Sequence, residues 1–396
     1  MLTLSTVLKH YKRRDIQEAI ALHARDREVA ARFGEQFGSR PDIIQHASDI
    51  MEFAKQGATS FHCSEERWSS PLQLAPNMRP HELDALRIGW DLIIDVDCKS
   101  WKYSKLITAL IVRLIKSFGV DSISVKFSGN KGFHIGVPFE AFPAKVHGKE
   151  IRLLFPEGPR RIAEYIIHLL EEKFLQMVSE KELVGIAKDL GVEQAELVVS
   201  SCVKCGNARD MGKFKIEFIC PRCENRKRAE QEYMICDKCS SMMAKQQHNL
   251  SSCLKCGGGT FERKVDVSRI IDVDTLLISS RHLYRAPYSL HEKSGLVSIP
   301  IEIAEIEGFE REKASAEKIL EIKEFMPRIA KPDEANHLFL QAFDYTKPQA
   351  VVAERKSEIP AAAIPEQYFP DCVKKLSLGM SDGRKRAAFC RMVKIR

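Results

Sequence analysis

The stretch LIIDVDC, residues 92–98, decides the fold because it joins a buried strand to a pair of carboxylates. Its apolar, β-branched residues over 92–97 are bounded by turn-forming residues and predict a buried β-strand. Side chains alternate along a strand, so Asp95 and Asp97 are expected to project from one face. Neighbouring carboxylates suit Mg²⁺ or Mn²⁺, although an isolated Asp-Val-Asp is also typical of a strand that runs out into solvent.

Further strands and helices are predicted on both sides of this segment. Helices are predicted at residues 10–58, 106–118, 160–177 and 305–329, with a shorter one ending at Gly191, and strands at 122–127 and 133–137. The helices have apolar residues at helical spacing, and glycines stand where a helix end favours a left-handed residue.

Composition limits the class of protein. The chain has 396 residues with 44% hydrophobic content, which is typical of a globular protein and excludes wholesale disorder. No apolar run reaches the ~18 residues that span a bilayer, and the N-terminus has apolar residues before basic ones, the reverse of a secretory signal. We therefore expect a soluble, cytoplasmic protein without a membrane partner. The net charge of +7 suits a polyanionic partner without requiring one.

A glycine-containing loop, FSGNKGFH at residues 127–134, lies between two predicted strands. Its glycines permit positive φ and let backbone N–H groups approach a ligand. Lys131 supplies a cation, and Ser128 and His134 are donors on either side. The loop is a candidate triphosphate cradle, or alternatively an ordinary hairpin turn. It is not a Walker loop, which requires GxxxxGK[ST] at the start of a helix.

A third stretch, IDVDTLLISSRHLYRAPYSLHEKSGLVSIPI at residues 271–301, adds carboxylates and cations in a strand–loop–strand pattern. Asp272 or Asp274 could complete a metal site with the Asp-Val-Asp pair. Arg285 and His291 could hold phosphate oxygens, since an arginine can do so bidentately. Taken alone, the stretch is only a basic hairpin.

Eight of the twelve cysteines form four CxxC pairs separated by 14, 12 and 13 residues. In a reducing compartment this spacing indicates zinc rather than disulfides. The simplest assignment is two consecutive Cys₄ zinc ribbons, Cys202/Cys205/Cys220/Cys223 and Cys236/Cys239/Cys253/Cys256. A crossed or nested pairing is also possible. Nearby basic residues either contact a nucleic-acid backbone or form a solvated surface: Lys213, Lys215, Arg222, Arg226, Lys227 and Arg228.

The acidic strand, the glycine loop, the cysteine pairs and the 271–301 stretch follow one another along the chain. In this order they resemble the catalytic small subunit of archaeal and eukaryotic replicative DNA primases, within the archaeo-eukaryotic primase superfamily. The resemblance covers roughly residues 60–301 and runs through IIDVDCKSW, FSGNKGFHIGV, the cysteine insert and the 271–301 stretch. It implies an α/β (α+β) fold with a mixed central sheet, flanking helices, a double zinc-ribbon insertion and a C-terminal helical segment.

The resemblance also implies an activity, namely synthesis of short RNA primers on single-stranded DNA from nucleoside triphosphates during replication, with a primase large subunit as partner. Two Mg²⁺ or Mn²⁺ ions would be bound by Asp95, Asp97 and Asp274, with Asp272 as the second choice for the last place. The triphosphate would be held by Ser128, Lys131, His134, Arg285 and His291. Two rival functions remain: a repair or gap-filling primase-polymerase, and a zinc-ribbon nucleic-acid-binding protein with an inert acidic site.

The predicted domains are a catalytic domain at 1–201 and 257–303, the cysteine insert at 202–256, a helical segment at 304–346, a linker at 347–366 and the start of a helical domain at 367–396. That last part resembles the opening of the iron–sulfur domain of the primase large subunit, with Cys372 as a first ligand, and its end inside an apparent helix suggests a truncated or fused chain. Two features depart from the family. Asn130 replaces a commonly basic residue, which puts triphosphate affinity in question, and the family usually binds one zinc ion.

Overall fold

The fold is taken from a computed structural model of the chain. The chain separates into two units, Met1–Pro348 and Gln349–Arg396, and the fold below belongs to the first. The structure describes residues 2–98, 100–205, 208–209, 216–228, 231–247, 253, 256–267, 270–272 and 279–345. Asp274, Cys372, the predicted linker and the predicted last domain lie outside the described residues, and the domain plan stays a prediction.

The helices of the described residues flank the sheets. They are α1 (Leu4–Tyr11), α2 (Arg14–Ala24), α3 (Asp49–Lys55), α4 (Pro80–Leu86), α5 (Trp101–Ser117), α6 (Glu157–Met177), α7 (Glu180–Leu190), α8 (Gln194–Leu197) and α9 (Asn336–Asp344). Helix α7 has the predicted glycine end, with Gly191 at φ +68°. Among these helices, none is both long and apolar enough to cross a membrane.

The strands pair antiparallel in every register that the described residues show. They are β1 (Val29–Phe33), β2 (Gln36–Phe37), β3 (Ala58–Ser64), β4 (Glu66–Trp68), β5 (Arg87–Trp90), β6 (Leu92–Cys98), β7 (Ser124–Phe127), β8 (Phe133–Val137), β9 (Lys145–Val146), β10 (Lys149–Glu150), β11 (Val198–Cys202), β12 (Ala208–Arg209), β13 (Ile216–Ile219), β14 (Arg226–Arg228), β15 (Ala244–Gln247), β16 (Phe261–Val265), β17 (Ile271–Asp272), β18 (Leu283–Arg285) and β19 (Pro300–Ile301).

Two sheets make up the body of the unit. The central sheet has the order β17-β6-β8-β7-β19, and its apolar face packs on α5 and α6 in the largest core. The second sheet has the order β18-β3-β1-β2 and packs on α1, α2 and α3 in a separate core. The predicted α/β (α+β) architecture, with a central sheet and flanking helices, is confirmed.

Strand β6 shows the predicted alternation of side chains. Leu92, Ile94 and Val96 point into the main core, whereas Asp95 and Asp97 are exposed on the opposite face. The sequence therefore places an acidic pair at the surface of an otherwise buried strand.

A buried charge cluster fixes the residue that precedes this strand. The carboxylate of Asp91 is fully buried and accepts from Arg27, from Arg67 (Nε, 3.0 Å) and from the Phe139 backbone N–H at 2.8 Å. Although burial opposes ionisation, the two guanidinium groups hold the pKa of Asp91 well below its usual range.

Two predicted helices differ from the structure. Residues 10–58 contain the end of α1, then α2 and α3, but also β1 and β2, because Val29–Phe33 pairs with β3 in the second sheet. Residues 305–329 hold short 3₁₀ turns rather than a long helix. Their apolar residues serve different cores, with Phe309 in the main core and Ile319 in the second, so the segment crosses between cores instead of presenting one helical stripe.

The cysteine insert builds two small sheets of its own. Strand β11 enters the insert and pairs with β16, which leaves it, giving the order β12-β11-β16. The inner part forms a second sheet in the order β14-β13-β15. Lys264 Nζ on β16 lies 3.4 Å from Glu172 Oε1 on α6, which attaches the base of the insert to the body.

Candidate active site

The acidic pair on β6 is the centre of the candidate site. Loss of hydration in the cleft, followed by the negative charge of Asp97, raises the pKa of Asp95 to about 7. The Asp95 side chain is nevertheless 62% exposed, so ions and water reach it. Two accessible carboxylates that repel each other favour a bound cation.

A further acidic residue lies next to this pair in the sheet. Strand β17 pairs with β6 so that Asp272 is opposite Asp97 and Ile271 is opposite Cys98. Opposed Cα atoms in an antiparallel pair are about 4.5–5.5 Å apart. The backbone of Asp272 is thus adjacent to the pair, whereas Asp274 lies outside the described residues.

A row of polar residues crosses three neighbouring strands beside Asp95. His134 on β8 is opposite Asp95, and Lys126 on β7 is opposite His134. The Nε2 atom of His134 is 3.5 Å from Asp95 Oδ1. Burial, then the charges of Lys126 and Arg285, lower the pKa of His134 well below its ordinary value, so its imidazole is neutral.

Lys126 is a site residue that the sequence prediction missed. It is fully buried, and its Nζ donates to Ser298 Oγ at 2.8 Å. The ammonium lies 5.7 Å from the ring centre of Tyr284 and 5.5 Å from that of Phe325. Burial, followed by the charge of Arg285, lowers the pKa of Lys126. The residue looks like an ordinary strand position in the sequence, and only the covering aromatic rings make it a buried cation.

The glycine loop contacts the acidic strand β6 on one side and the segment that holds His291 on the other. The Ser128 N–H donates to the Gly132 carbonyl at 2.9 Å and closes the turn. A Cβ on Gly132 would lie 2.2 Å from Asp97 Oδ1, and one on Gly129 (φ +99°) would lie 2.9 Å from His291 Cβ. Both positions therefore require glycine, because the loop backbone passes directly against the acidic pair on one side and His291 on the other.

Arg285 and His291 approach this loop from the second sheet. Arg285 is opposite His62 on β3, and its Nη2 is 2.8 Å from Glu292 Oε2. Burial, then the Arg285 charge, lowers the pKa of His291 to about 4 and that of His62 well below its ordinary value. Because Lys126 is also near, buried cations outnumber nearby anions on this side of the site, which favours a polyanionic ligand.

An acid–base pair on the other side of Asp95 was also missed. The Nδ1 of His282 is 2.7 Å from Oε1 of the buried Glu65. Although burial opposes it, the hydrogen bond and charge of Glu65 raise the pKa of His282. The second carboxylate oxygen of Glu65 makes no hydrogen bond to any residue that the structure describes. Glu65 lies in a segment that carries no motif, whereas His282 lies within the 271–301 stretch but was not among its predicted site residues.

Most of the predicted site residues converge. The structure brings together Asp95, Asp97, Ser128, His134, Arg285 and His291. Lys131 lies in the same loop but is exposed at the tip of the turn. Of the residues missed by sequence reasoning, Lys126 lies on β7, Glu65 lies between β3 and β4, and His282 directly precedes β18.

The cysteines form two groups of four, but the consecutive pairing was wrong. One group is Cys202, Cys205, Cys253 and Cys256, and the other is Cys220, Cys223, Cys236 and Cys239. The arrangement is nested, because β11 and β16 are paired and bring the first and last CxxC pairs to one end of the same sheet. The middle pairs then meet within the inner sheet. We call the second group, with β13, β14, β15 and residues 220–243, the inner ribbon.

The sulfur atoms in each group suit one tetrahedral metal ion. Cys202 and Cys256 have Sγ atoms 3.5 Å apart, and Cys220 and Cys239 have theirs 3.3 Å apart. Zinc–sulfur bonds of about 2.3 Å give tetrahedral sulfur separations somewhat under 4 Å, whereas a disulfide needs about 2.05 Å. These cysteines are therefore not disulfide-bonded, and their geometry fits zinc.

Parts of this chain are similar to known proteins. Residues 93–303, more than half of the 396, match the family model for the DNA primase small subunit. An uncharacterized protein of Methanocaldococcus jannaschii is 27% identical over 184 residues, which cover 46% of this chain and 38% of that protein. The chain thus spans less than two thirds of the length of this relative.

Among solved structures, the polymerase domain of Mycobacterium tuberculosis ligase D in complex with DNA has a TM-score of 0.40 and 13% identity, covering 86% of this chain and 89% of that one. The family match contains the acidic strand, the glycine loop, the cysteine insert and the segment with Arg285 and His291. On this match, the chain belongs to the DNA primase small subunit family.

Proposed function

We propose that this chain is the catalytic small subunit of a DNA primase, which joins ribonucleotides into short primers on a single-stranded DNA template. The observation that supports the proposal most is the row of Lys126, His134 and Asp95 across three adjacent strands, beside Asp97. It places a cation, a neutral donor and two carboxylates at one sheet surface, as phosphoryl transfer by positioning and electrostatics requires.

The acidic residues fit two divalent cations, Mg²⁺ or Mn²⁺. The backbone of Asp272 is paired with that of Asp97 in the sheet. We therefore propose Asp95, Asp97 and Asp272 as the ligands, with Asp272 ahead of Asp274. When bound, such ions lower the pKa of the attacking hydroxyl and neutralise charge on the phosphoryl groups.

The chain's own residues would orient the nucleoside triphosphate. Ser128 and the glycine backbone of its loop would donate to phosphate oxygens, with Lys131 reaching in from the exposed turn. Neutral His134 would donate a hydrogen bond beside Asp95, and Arg285 and His291 would bind the far end of the triphosphate. The buried cation Lys126 would lower the energy of the added negative charge without direct contact.

Triphosphate binding is expected to take up protons and to strengthen as pH falls toward about 4, the pKa of His291 in the free protein. The pKa of His291 is about 4 in the free protein, and a bound polyanion must raise it. At a pH between its pKa in the free protein and its higher pKa in the complex, His291 gains a proton when the triphosphate binds. Affinity therefore increases as pH decreases within that range. Isothermal titration calorimetry in buffers of different ionisation enthalpy measures this uptake.

The control for this measurement is His291→Gln, titrated without divalent ions. The nucleotide's own phosphate titration is common to both proteins, so only the difference between them reports on His291. Equal proton uptake by the two proteins would contradict the assignment of His291 to the triphosphate site.

We further propose that each cysteine group binds one structural Zn²⁺. Two bound ions per chain are expected, and Cys202→Ser/Cys256→Ser should lose one of them, because both residues belong to one group. Consecutive pairing would place these residues in different sites and would lose both ions. Native mass spectrometry counts the zinc in this variant and in the matched variant Cys220→Ser/Cys239→Ser.

De novo primer synthesis tests the proposed function. Wild-type protein is incubated with ribonucleoside triphosphates, Mn²⁺ and unprimed single-stranded DNA, and labelled products are resolved by length. Products from unprimed template support a primase, whereas products that appear only with an annealed primer identify a gap-filling polymerase. Template binding without any product would favour a zinc-ribbon binding protein. A large-subunit partner, implied by the family, is part of the proposal and is tested by adding that subunit.

A further inference from the structure

One face of the second sheet is polar and lies beside the candidate active site. Side chains that oppose each other across antiparallel strands share a face, and Arg285 is opposite His62. Arg32 is opposite Ser60, which lies two residues from His62 along β3, so both pairs are on the same face. The other face carries Phe61 and packs in the second core. The polar face therefore collects hydrogen-bond donors from β18, β3 and β1.

The carboxylate of Glu292 lies on this polar face. Its Oε2 atom is 2.8 Å from Arg285 Nη2, and its Oε1 atom accepts a hydrogen bond from the hydroxyl of Ser60. Arg32 Nε is 3.8 Å from Glu292 Oε1. Although burial opposes ionisation, the charge of Arg285 and the hydrogen bond from Ser60 lower the pKa of Glu292 to about 2. Glu292 is therefore an anion at neutral pH.

The groups around this carboxylate have the composition of a phosphate-binding site. Arginines and hydroxyls are common donors to phosphate oxygens, and an arginine binds a carboxylate or a phosphate with the same two-pronged geometry. The Nδ1 atom of the buried His62 ring has no hydrogen-bond partner among the residues that the structure describes. Buried polar atoms without partners are rare, and a phosphate group offers more acceptor oxygens than a carboxylate.

Glu292 occupies Arg285 in the free protein. Besides the Nη2 contact, Arg285 Nη1 lies 3.4 Å from Glu292 Oε1 and donates to the Leu290 carbonyl at 2.5 Å. Both terminal nitrogens are thus engaged by residues 290–292, so a phosphate gains the two-pronged position only when Glu292 leaves it. The Arg285 side chain is 9% exposed, and a buried cation without a counter-charge strongly destabilises a protein. The carboxylate supplies that counter-charge.

We propose that Glu292 holds the place of a phosphate group in the free protein, and that the end of a polyphosphate chain displaces it. The displacing phosphate binds Arg285, Arg32 and Ser60, which adds the last two to the predicted triphosphate residues. Competition from Glu292 lowers the affinity for polyphosphate and helps to expel the pyrophosphate that nucleotidyl transfer releases. The link to nucleotidyl transfer rests on the proposed function, whereas polyphosphate binding itself does not.

Isothermal titration calorimetry with inorganic tripolyphosphate, without added divalent ions, tests the proposal. Glu292→Gln keeps the shape of the side chain but removes its charge. It should bind tripolyphosphate at least roughly ten-fold more tightly than wild type, the lower end of what a close charge pair contributes to binding. Arg32→Gln should bind it several-fold more weakly. The matched control is Glu317→Gln, since Glu317 is exposed and pairs at 3.1 Å with the exposed Lys9, and it should change nothing.

Thermal unfolding gives a second readout, because Glu292→Gln leaves Arg285 without its counter-charge. The melting temperature of this variant should be lower than that of wild type. Tripolyphosphate should raise it by more than it raises that of wild type, because a ligand stabilises the folded state in proportion to its affinity. If Glu292→Gln does not fold, Arg32→Gln decides the question.

A double variant separates displacement from a general change in charge. In the Arg285→Gln background, Glu292→Gln should strengthen binding much less, because the two residues act as a pair. Equal or weaker binding by a folded Glu292→Gln protein, or unchanged affinity of Arg32→Gln, would overturn the proposal. If primer synthesis is absent while Glu292→Gln still binds tripolyphosphate more tightly, the proposed function fails and this proposal stands.

Discussion

Asp95→Asn is expected to lower the rate of primer synthesis by roughly 10³-fold, since the charge stabilisation that bound cations give the transition state amounts to several kcal/mol. Asparagine keeps the shape of the side chain but removes one of two adjacent carboxylates. The variant should fold normally and should melt at the same temperature as wild type or higher, because Asp95 and Asp97 repel each other in the free protein. Initial rates on unprimed template measure the effect.

Asp121→Asn provides the matched control. The Asp121 side chain is exposed and forms a salt bridge at 2.6 Å with the equally exposed Lys331. Its replacement should leave synthesis unchanged. A folded Asp95→Asn protein that kept the wild-type rate would refute the assignment of the acidic pair to catalysis.

Asp91→Ala is expected to destabilise the protein by about 3–5 kcal/mol, the usual cost of removing one partner of a buried ion pair. The substitution leaves Arg27 and Arg67 buried without their shared carboxylate, and it frees the Phe139 N–H. Since whole domains have stabilities of about 5–15 kcal/mol, much of the folded population could be lost. Denaturant unfolding monitored by circular dichroism, with zinc present, gives the change.

Asp121 again provides the control, because Asp121→Ala breaks a surface salt bridge with an expected effect of about 0–1 kcal/mol.

The contribution of Asp91 to folding stability depends on pH with a definite sign. Asp91 has a folded-state pKa below its unfolded value, so its contribution is present above about pH 4 and is lost as pH falls further. Equal stabilities of Asp91→Ala and Asp121→Ala would show that the buried cluster does not anchor β6.

The parts of the site that local sequence specifies were predictable. Strand alternation placed Asp95 and Asp97 on one face, and the glycine spacing of residues 128–132 indicated a loop that passes close to other atoms. These features depend on neighbours within a few residues. The resemblance then connected them to Arg285 and His291, which lie more than 150 residues downstream.

The parts that tertiary contacts decide were not predictable. The four CxxC pairs have nearly equal spacing, so the sequence fits consecutive and nested zinc sites alike, and only the pairing of β11 with β16 selects one. Lys126 and Glu65 have no local signal, because their burial comes from rings and strands distant in sequence. Residues 29–33 lie within the stretch predicted as helix yet form a strand, since β3 offers them a partner.

Electron paramagnetic resonance of Mn²⁺ in the presence of a non-hydrolysable nucleoside triphosphate tests the central claim most directly. Wild-type protein is expected to bind Mn²⁺, while Asp95→Asn, Asp97→Asn and Asp272→Asn lose that binding and Asp274→Asn retains it. Mn²⁺ binding by Asp95→Asn/Asp97→Asn equal to that of wild type would contradict the claim that these carboxylates hold the catalytic ions.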